Sequence, residues 1–170
     1  TGWTPFAGEQ VEPGFRLETR RIEQSHLVIA VPGISITHPD RYAVDLMSVV
    51  LGEGMSSRLF VEVRERNGLA YDVHSGVSHF LDCGAFVVTA GVAPPRVYEA
   101  VEMILRQVGS LREGVGDDEL EKAKRLSTGR LMLRMEDSRA VSGWWSSSDK
   151  KLSLDTVRVW VSAVASRPET

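Results

Sequence analysis

The spacing of apolar residues changes at Tyr71, and this change limits the folds open to the chain. From Tyr71 to Val92 apolar residues recur at every second position, as in strands that bury one face. The residues LDCG at 81–84 predict a turn between two such strands, which are then antiparallel neighbours. The predicted faces are Tyr71, Val73, Ser75 and Val77 on the first strand, and Phe86, Val88, Ala90 and Val92 on the second.

Further strands and helices are predicted on both sides of this hairpin. The run HLVIAVPG indicates a well-buried strand, and apolar residues three or four apart indicate helices. The predicted elements are strands at 15–23 and 25–31; a helix at 39–51 capped by Gly52; a helix from Ser56 or Ser57 to Arg66; a helix starting at Pro94; a helix opened by a capping box of Asp118 and Glu121; and helical segments around Trp144, Trp145 and 154–165.

This order of elements predicts an α+β fold, in which an antiparallel β-sheet is covered by α-helices. A length of 170 residues predicts one domain. Glycine and proline recur in residues 1–14, so we interpret them as the remnant of a linker and 15–170 as a single domain. Because the first residue is Thr1, we expect the chain to be a segment of a longer protein.

Composition and charge exclude several classes of function. A net charge of −3 gives no reason to expect a nucleic-acid or anionic-lipid partner. No apolar run approaches the roughly 20 residues that cross a membrane. The single cysteine, Cys83, excludes an internal disulfide, and we expect it to be a small buried residue. We expect a soluble protein. The sequence does not identify its compartment, although it favours the cytoplasm over secretion.

Familiar cofactor motifs are missing from the sequence. Gly52 and Gly54 lie in GEGMSS, which follows a helix and lacks the third glycine of a dinucleotide site and the lysine of a P-loop. None of the four histidines has a partner at a metal-binding spacing on a helix. His74 and His79 are five residues apart on one strand, so they point to opposite faces. No cofactor or metal is therefore expected in this segment.

Arg64 and Tyr71 are the remaining candidates for chemistry. Arg64 is predicted in the last helical turn and Tyr71 at the start of the next strand, on either side of a glycine turn. A guanidinium suits a peptide carbonyl or carboxylate, and a phenol donates to developing negative charge on oxygen. The residues alone leave a second interpretation open, in which Arg64 only complements the helix dipole and Tyr71 only packs.

The segment LGEGMSSRLFVEVRERNGLAY resembles the C-terminal half of the M16 zinc metallopeptidases, a family that includes mitochondrial processing peptidase, insulin-degrading enzyme and bacterial processing proteases. QSHLVIAVPG, DCGAFVVTAGV and GVGDDELEKAK extend the likeness in the same order. The resemblance implies the α+β fold of one M16 half. It also implies that Arg64 and Tyr71, seven residues apart, position the substrate and stabilise the oxyanion.

The same resemblance places zinc elsewhere. In the family, the N-terminal half holds zinc on His-x-x-Glu-His, a motif that this sequence lacks. We therefore expect zinc in a missing N-terminal half or in a homologous partner subunit, and a peptide as the substrate. This segment alone is expected to be inactive, and self-association is a possible further partner interaction. The parent is then a full-length protease or a metal-free subunit beside an active one; the alternative is a non-catalytic scaffold or assembly subunit.

Overall fold

The computed structural model describes residues 4–6, 8, 13–18 and 23–138. The predicted strand at 15–23 is not formed by its described residues, 15–18 and 23, and its other residues lie outside the described part. The predicted helical segments around Trp144, Trp145 and 154–165 lie outside it altogether. The prediction of a linker at 1–14 followed by one domain at 15–170 stays a prediction.

Three strands and four longer helical segments follow one another along the described chain, apart from two 3₁₀ turns of three residues each. They are β1 (Ser25–Gly33), α1 (Arg41–Gly52), a π-helix (Phe60–Arg66), β2 (Ala70–His79), β3 (Gly84–Val92), α2 (Val97–Ser110) and α3 (Asp117–Glu136). Their order agrees with the predicted order from the second strand onward, and the predicted α+β class is confirmed.

The three strands form one antiparallel sheet in the order β1-β3-β2, with the most apolar strand in the centre. At one end of β3, Val92 pairs with both Ser25 and Ala70. β1 is an edge strand of this sheet, and it is half-buried rather than well buried as predicted. Its Leu27 packs towards the core, whereas 68% of Val28 on the other face is exposed.

One face of the sheet carries the core of the molecule. Helices α1 and α2 and the π-helix contribute Leu51, Ile104 and Val63 to this core, and all three are fully buried. Each such side chain stabilises the fold by about 1.5–3 kcal/mol. The cluster as a whole contains Leu51, Leu59, Val63, Leu69, Ala70, Val73, Phe86, Val88, Ala90, Val92, Ala100 and Ile104.

The chain divides into two compact units, Thr1–Gly116 and Asp117–Thr170. The sheet and its core lie in the first, and α3 begins the second.

The predicted capping box is wrong, because the helix already begins at Asp117 and Asp118 lies within it. Glu121 Oε1 instead accepts a hydrogen bond from Lys124 Nζ at 2.9 Å, and this bond holds the pKa of the Glu121 carboxyl below its usual value. Within the described ranges, no helix combines the length and the apolarity that crossing a membrane requires.

Candidate functional site at the turn between the π-helix and strand β2

A short helix with one fully buried side presents Arg64. Residues 58 and 59 form its first, α-helical part, and the π-helix continues it to Arg66. Ser57 Oγ donates a hydrogen bond to the Gly54 carbonyl at 2.7 Å, which closes the turn that precedes the helix. Leu59 and Val63 are completely buried, and they attach the helix to the core. The part of the helix that bears Arg64 is thereby directed away from the core.

The guanidinium of Arg64 lies over an aromatic ring. Its Cζ is 4.9 Å from the centre of the Phe60 ring, a cation–π distance, and its Nε is 3.9 Å from Glu65 Oε1. About 43% of the arginine side chain is exposed. The Phe60 ring therefore supports the arginine. The guanidinium keeps donors available for a ligand.

A glycine turn connects the arginine helix to the tyrosine strand. Gly68 has φ +54°, in the left-handed region that glycine adopts readily. Its N–H donates to the Arg64 carbonyl at 3.1 Å, and the Leu69 N–H donates to the Val63 carbonyl at 2.8 Å. These bonds satisfy carbonyls that would otherwise lack partners at the helix end.

A β-bulge places Tyr71 on the surface. Ala70 pairs with Val92 and Asp72 pairs with Gly91, so Tyr71 is one extra residue in β2. Such a bulge breaks the alternation of faces and redirects a side chain. The prediction that Tyr71 shares a face with Val73, Ser75 and Val77 is therefore wrong: those three lie on the core side, whereas 59% of Tyr71 is exposed.

The structure thus places Arg64 and Tyr71 on the surface, one before and one after the same turn. Neither side chain is enclosed by this domain. The interpretation that Tyr71 only packs does not agree with its exposure. Arg64 lies near the negative end of a helix dipole, and its guanidinium also lies over the Phe60 ring.

A chain of three polar side chains crosses the open face of the sheet next to Tyr71. Thr89 Oγ1 lies 2.7 Å from His74 Nε2, and His74 Nδ1 lies 3.4 Å from Asp72 Oδ2. This chain is not among the predicted sites. Asp72 and His74 are two apart, which signals a shared face, but Thr89 joins them only through the strand register.

The histidines do not assemble a metal site. His79 packs on the side opposite His74, with Nδ1 2.7 Å from the Ile34 carbonyl and Nε2 3.1 Å from Asp45 Oδ1. Among the residues that the structure describes, no three histidine, cysteine, aspartate or glutamate side chains could hold a metal ion together.

Cys83 lies in the β2–β3 turn and is half-buried, not fully buried as expected. Partial desolvation, and after it the Asp82 carboxylate, raises the pKa of the Cys83 thiol.

Comparison with known proteins identifies the class of this domain. Residues 3–127 match the family model described as the peptidase M16 inactive domain. An uncharacterized zinc protease of Streptomyces coelicolor is 36% identical over 168 residues, which cover 94% of this chain and 37% of that protein. The uncharacterized zinc protease YmxG of Bacillus subtilis is 36% identical over 132 residues, 75% of this chain and 32% of its own length.

Solved structures agree with this match. The peptidase M16 inactive domain from Pseudomonas fluorescens superposes with a TM-score of 0.73 at 27% identity, over 85% of this chain and 34% of that one. A protease from Helicobacter pylori gives a TM-score of 0.74 at 23% identity, over 86% of this chain and 36% of that one, and supports the fold. The chain belongs to the M16 peptidase family as its inactive domain, and it spans about a third of the length of these curated relatives.

Proposed function

We propose that this domain is the substrate-positioning half of a zinc-dependent metalloendopeptidase. A zinc-bearing M16 half, on the same polypeptide or on a partner subunit, supplies the metal and the general base. The chain itself supplies Arg64 and Tyr71 and is inactive alone. The relatives that carry this domain are named zinc proteases, and each is about three times as long as the matched region.

One observation carries the proposal: the two polar groups are exposed beside one rigid turn instead of packing into their own domain. Arg64, supported by the Phe60 ring, offers a fork of N–H donors to a peptide carbonyl or carboxylate. Tyr71 offers an O–H donor to the oxyanion that forms when water attacks the scissile carbonyl. The zinc ion, when bound in the other half, polarises that carbonyl or activates the water.

Replacing Tyr71 with phenylalanine tests the role of the phenol. Loss of one oxyanion donor lowers turnover by about 10²–10³-fold. We expect a loss of that order for Tyr71→Phe in the complete protease, measured with a library of quenched fluorescent peptides. Tyr98→Phe is the matched control, since Tyr98 is 90% exposed on α2, and we expect it to keep wild-type turnover.

Arg64→Gln, with Arg106→Gln as its control, tests the arginine in the same assay. Arg106 is exposed on α2 and pairs with Glu102. We expect Arg64→Gln to raise KM and lower kcat, because the arginine holds the peptide as well as orienting it. Activity within a few-fold of wild type in both Tyr71→Phe and Arg64→Gln would contradict the proposal and favour a non-catalytic scaffold.

A further inference from the structure

We propose that Arg96 is a positioning residue for the Arg64–Tyr71 site, because its guanidinium clamps the turn that connects them. Arg96 Nη1 donates to the carbonyl of Asn67 at 3.2 Å and to the carbonyl of Gly68 at 3.1 Å. These two residues form the turn itself. The inference rests on the proposed function of the site and adds a residue from another part of the chain.

A second contact fixes the direction of the Arg96 side chain. Glu99, three residues further on, accepts from Arg96 Nη2 at 2.9 Å and from Arg96 Nε at 3.2 Å through its Oε2 atom. The guanidinium is thus held on one side by a carboxylate and donates from the other side to the two backbone carbonyls. Hydrogen bonds from a charged donor are roughly twice as strong as neutral ones.

The position of the clamp suits the chemistry of a helix end. The last carbonyls of a helix lack partners within the helix, and they carry the negative end of its dipole. A cation that donates to carbonyls just past Arg66 therefore stabilises the local geometry of the turn. Asn67 contributes a second restraint, since its Nδ2 donates to the Glu62 carbonyl at 2.6 Å.

Arg96 is anchored independently of the turn that it holds. It lies in the 3₁₀ turn Pro94–Arg96, where its own N–H donates to the Ala93 carbonyl at 2.9 Å. This turn begins two residues after Val92, the β3 residue that pairs with Ala70 next to Tyr71. The clamp therefore connects the turn to the central strand, from a point 28 residues away in sequence.

Loss of the clamp should affect turnover more than folding. Arg96 is 41% exposed and Glu99 62% exposed, and exposed ion pairs contribute little to stability. By contrast, a small displacement of catalytic groups lowers rates by up to about 100-fold. Gly68 lies four residues after Arg64 and three before Tyr71, so a shift of the turn displaces both groups.

The test is a double-mutant cycle in the complete protease. We expect Arg96→Gln to lower kcat by about ten-fold or more with a smaller change in KM, and Arg96→Lys to recover part of the loss. In a Tyr71→Phe background the further loss from Arg96→Gln should be smaller, because only Arg64 is left of the two groups that the turn positions. Arg106→Gln breaks another exposed Arg–Glu pair on α2 and serves as the control.

Backbone hydrogen exchange supplies a readout that does not depend on activity. We expect amides 68–72 to exchange faster in Arg96→Gln and amides of the β3 strand to keep their protection. Unchanged exchange at 68–72, or full kcat in Arg96→Gln, would overturn the inference, as would equal losses from Arg96→Gln in both backgrounds. If Tyr71→Phe and Arg64→Gln both keep full turnover, the proposed function fails, and the exchange result still decides whether Arg96 holds the turn.

Discussion

Gly52 is the residue whose predicted role differs most from the one that it has. The sequence predicts a helix cap, but α1 includes Gly52, and Glu53 follows as the cap without a positive φ at either residue. A Cβ atom on Gly52 would lie 2.4 Å from the backbone nitrogen and 2.6 Å from the Oγ of Ser75. Gly52 is needed because α1 and β2 touch there.

Gly52→Ala should therefore destabilise the protein strongly. Backbone atoms of β2 would have to move, and overpacking a core costs about 1–3 kcal/mol, occasionally more. We expect a loss near the upper end of that range in the free energy of unfolding, measured by urea denaturation. Gly109→Ala on α2 is the control: nothing lies within 4 Å of its Cβ position, and we expect a gain of about 0.5–1 kcal/mol. Equal stability of the two variants would contradict the packing argument.

At the scale of elements, the turn between the π-helix and β2 depends on Gly68. Its φ of +54° disfavours any residue with a Cβ, although nothing lies within 4 Å of the Cβ position. We expect Gly68→Ala to cost about 1–2 kcal/mol through backbone strain alone. It should also lower turnover in the complete protease, since it displaces the residues on either side.

Gly76→Ala on β2 is the control for Gly68→Ala. It measures the effect on stability of replacing a glycine by alanine where no backbone strain results. Its Cβ position is equally open, and Gly76 has no positive φ. Urea denaturation should show a change within about 0.5 kcal/mol for this variant, as for ordinary surface substitutions. If Gly68→Ala were as stable as Gly76→Ala, the turn would not depend on a left-handed residue.

The sequence predicted most of the elements but not their irregularities. Periodicity located the β2–β3 hairpin, with its turn one residue later than the observed 80–83, and the helices that became α1 and α2, because regular spacing follows directly from burial of one face. It gave the wrong face for Tyr71, because a bulge depends on pairing with Gly91 and Val92, which a single strand does not encode. The π-helix and the Phe60–Arg64 contact were missed for a similar reason: they depend on how the helix packs.

At the scale of the whole molecule, the proposed separation of metal from substrate positioning is testable on this chain alone. All four histidines and the single cysteine lie at described positions, and the described residues assemble no metal-binding cluster. We expect metal analysis after dialysis against zinc to find well below one zinc ion per chain. One tightly held ion per chain would contradict the proposed division of roles between the two halves.

The extra residue in β2 changes which face of the sheet each preceding side chain of the strand occupies. The arginine and the tyrosine seven positions later form an easily recognised string, but the string does not determine where the phenol points; the neighbouring strand does. A laboratory that transfers this motif to another scaffold would need to move 64–72 together with its partner at 91–92. Deleting Ala70 would restore strict alternation and place Tyr71 opposite Val92, which turns the phenol towards the interior with the rest of the composition unchanged.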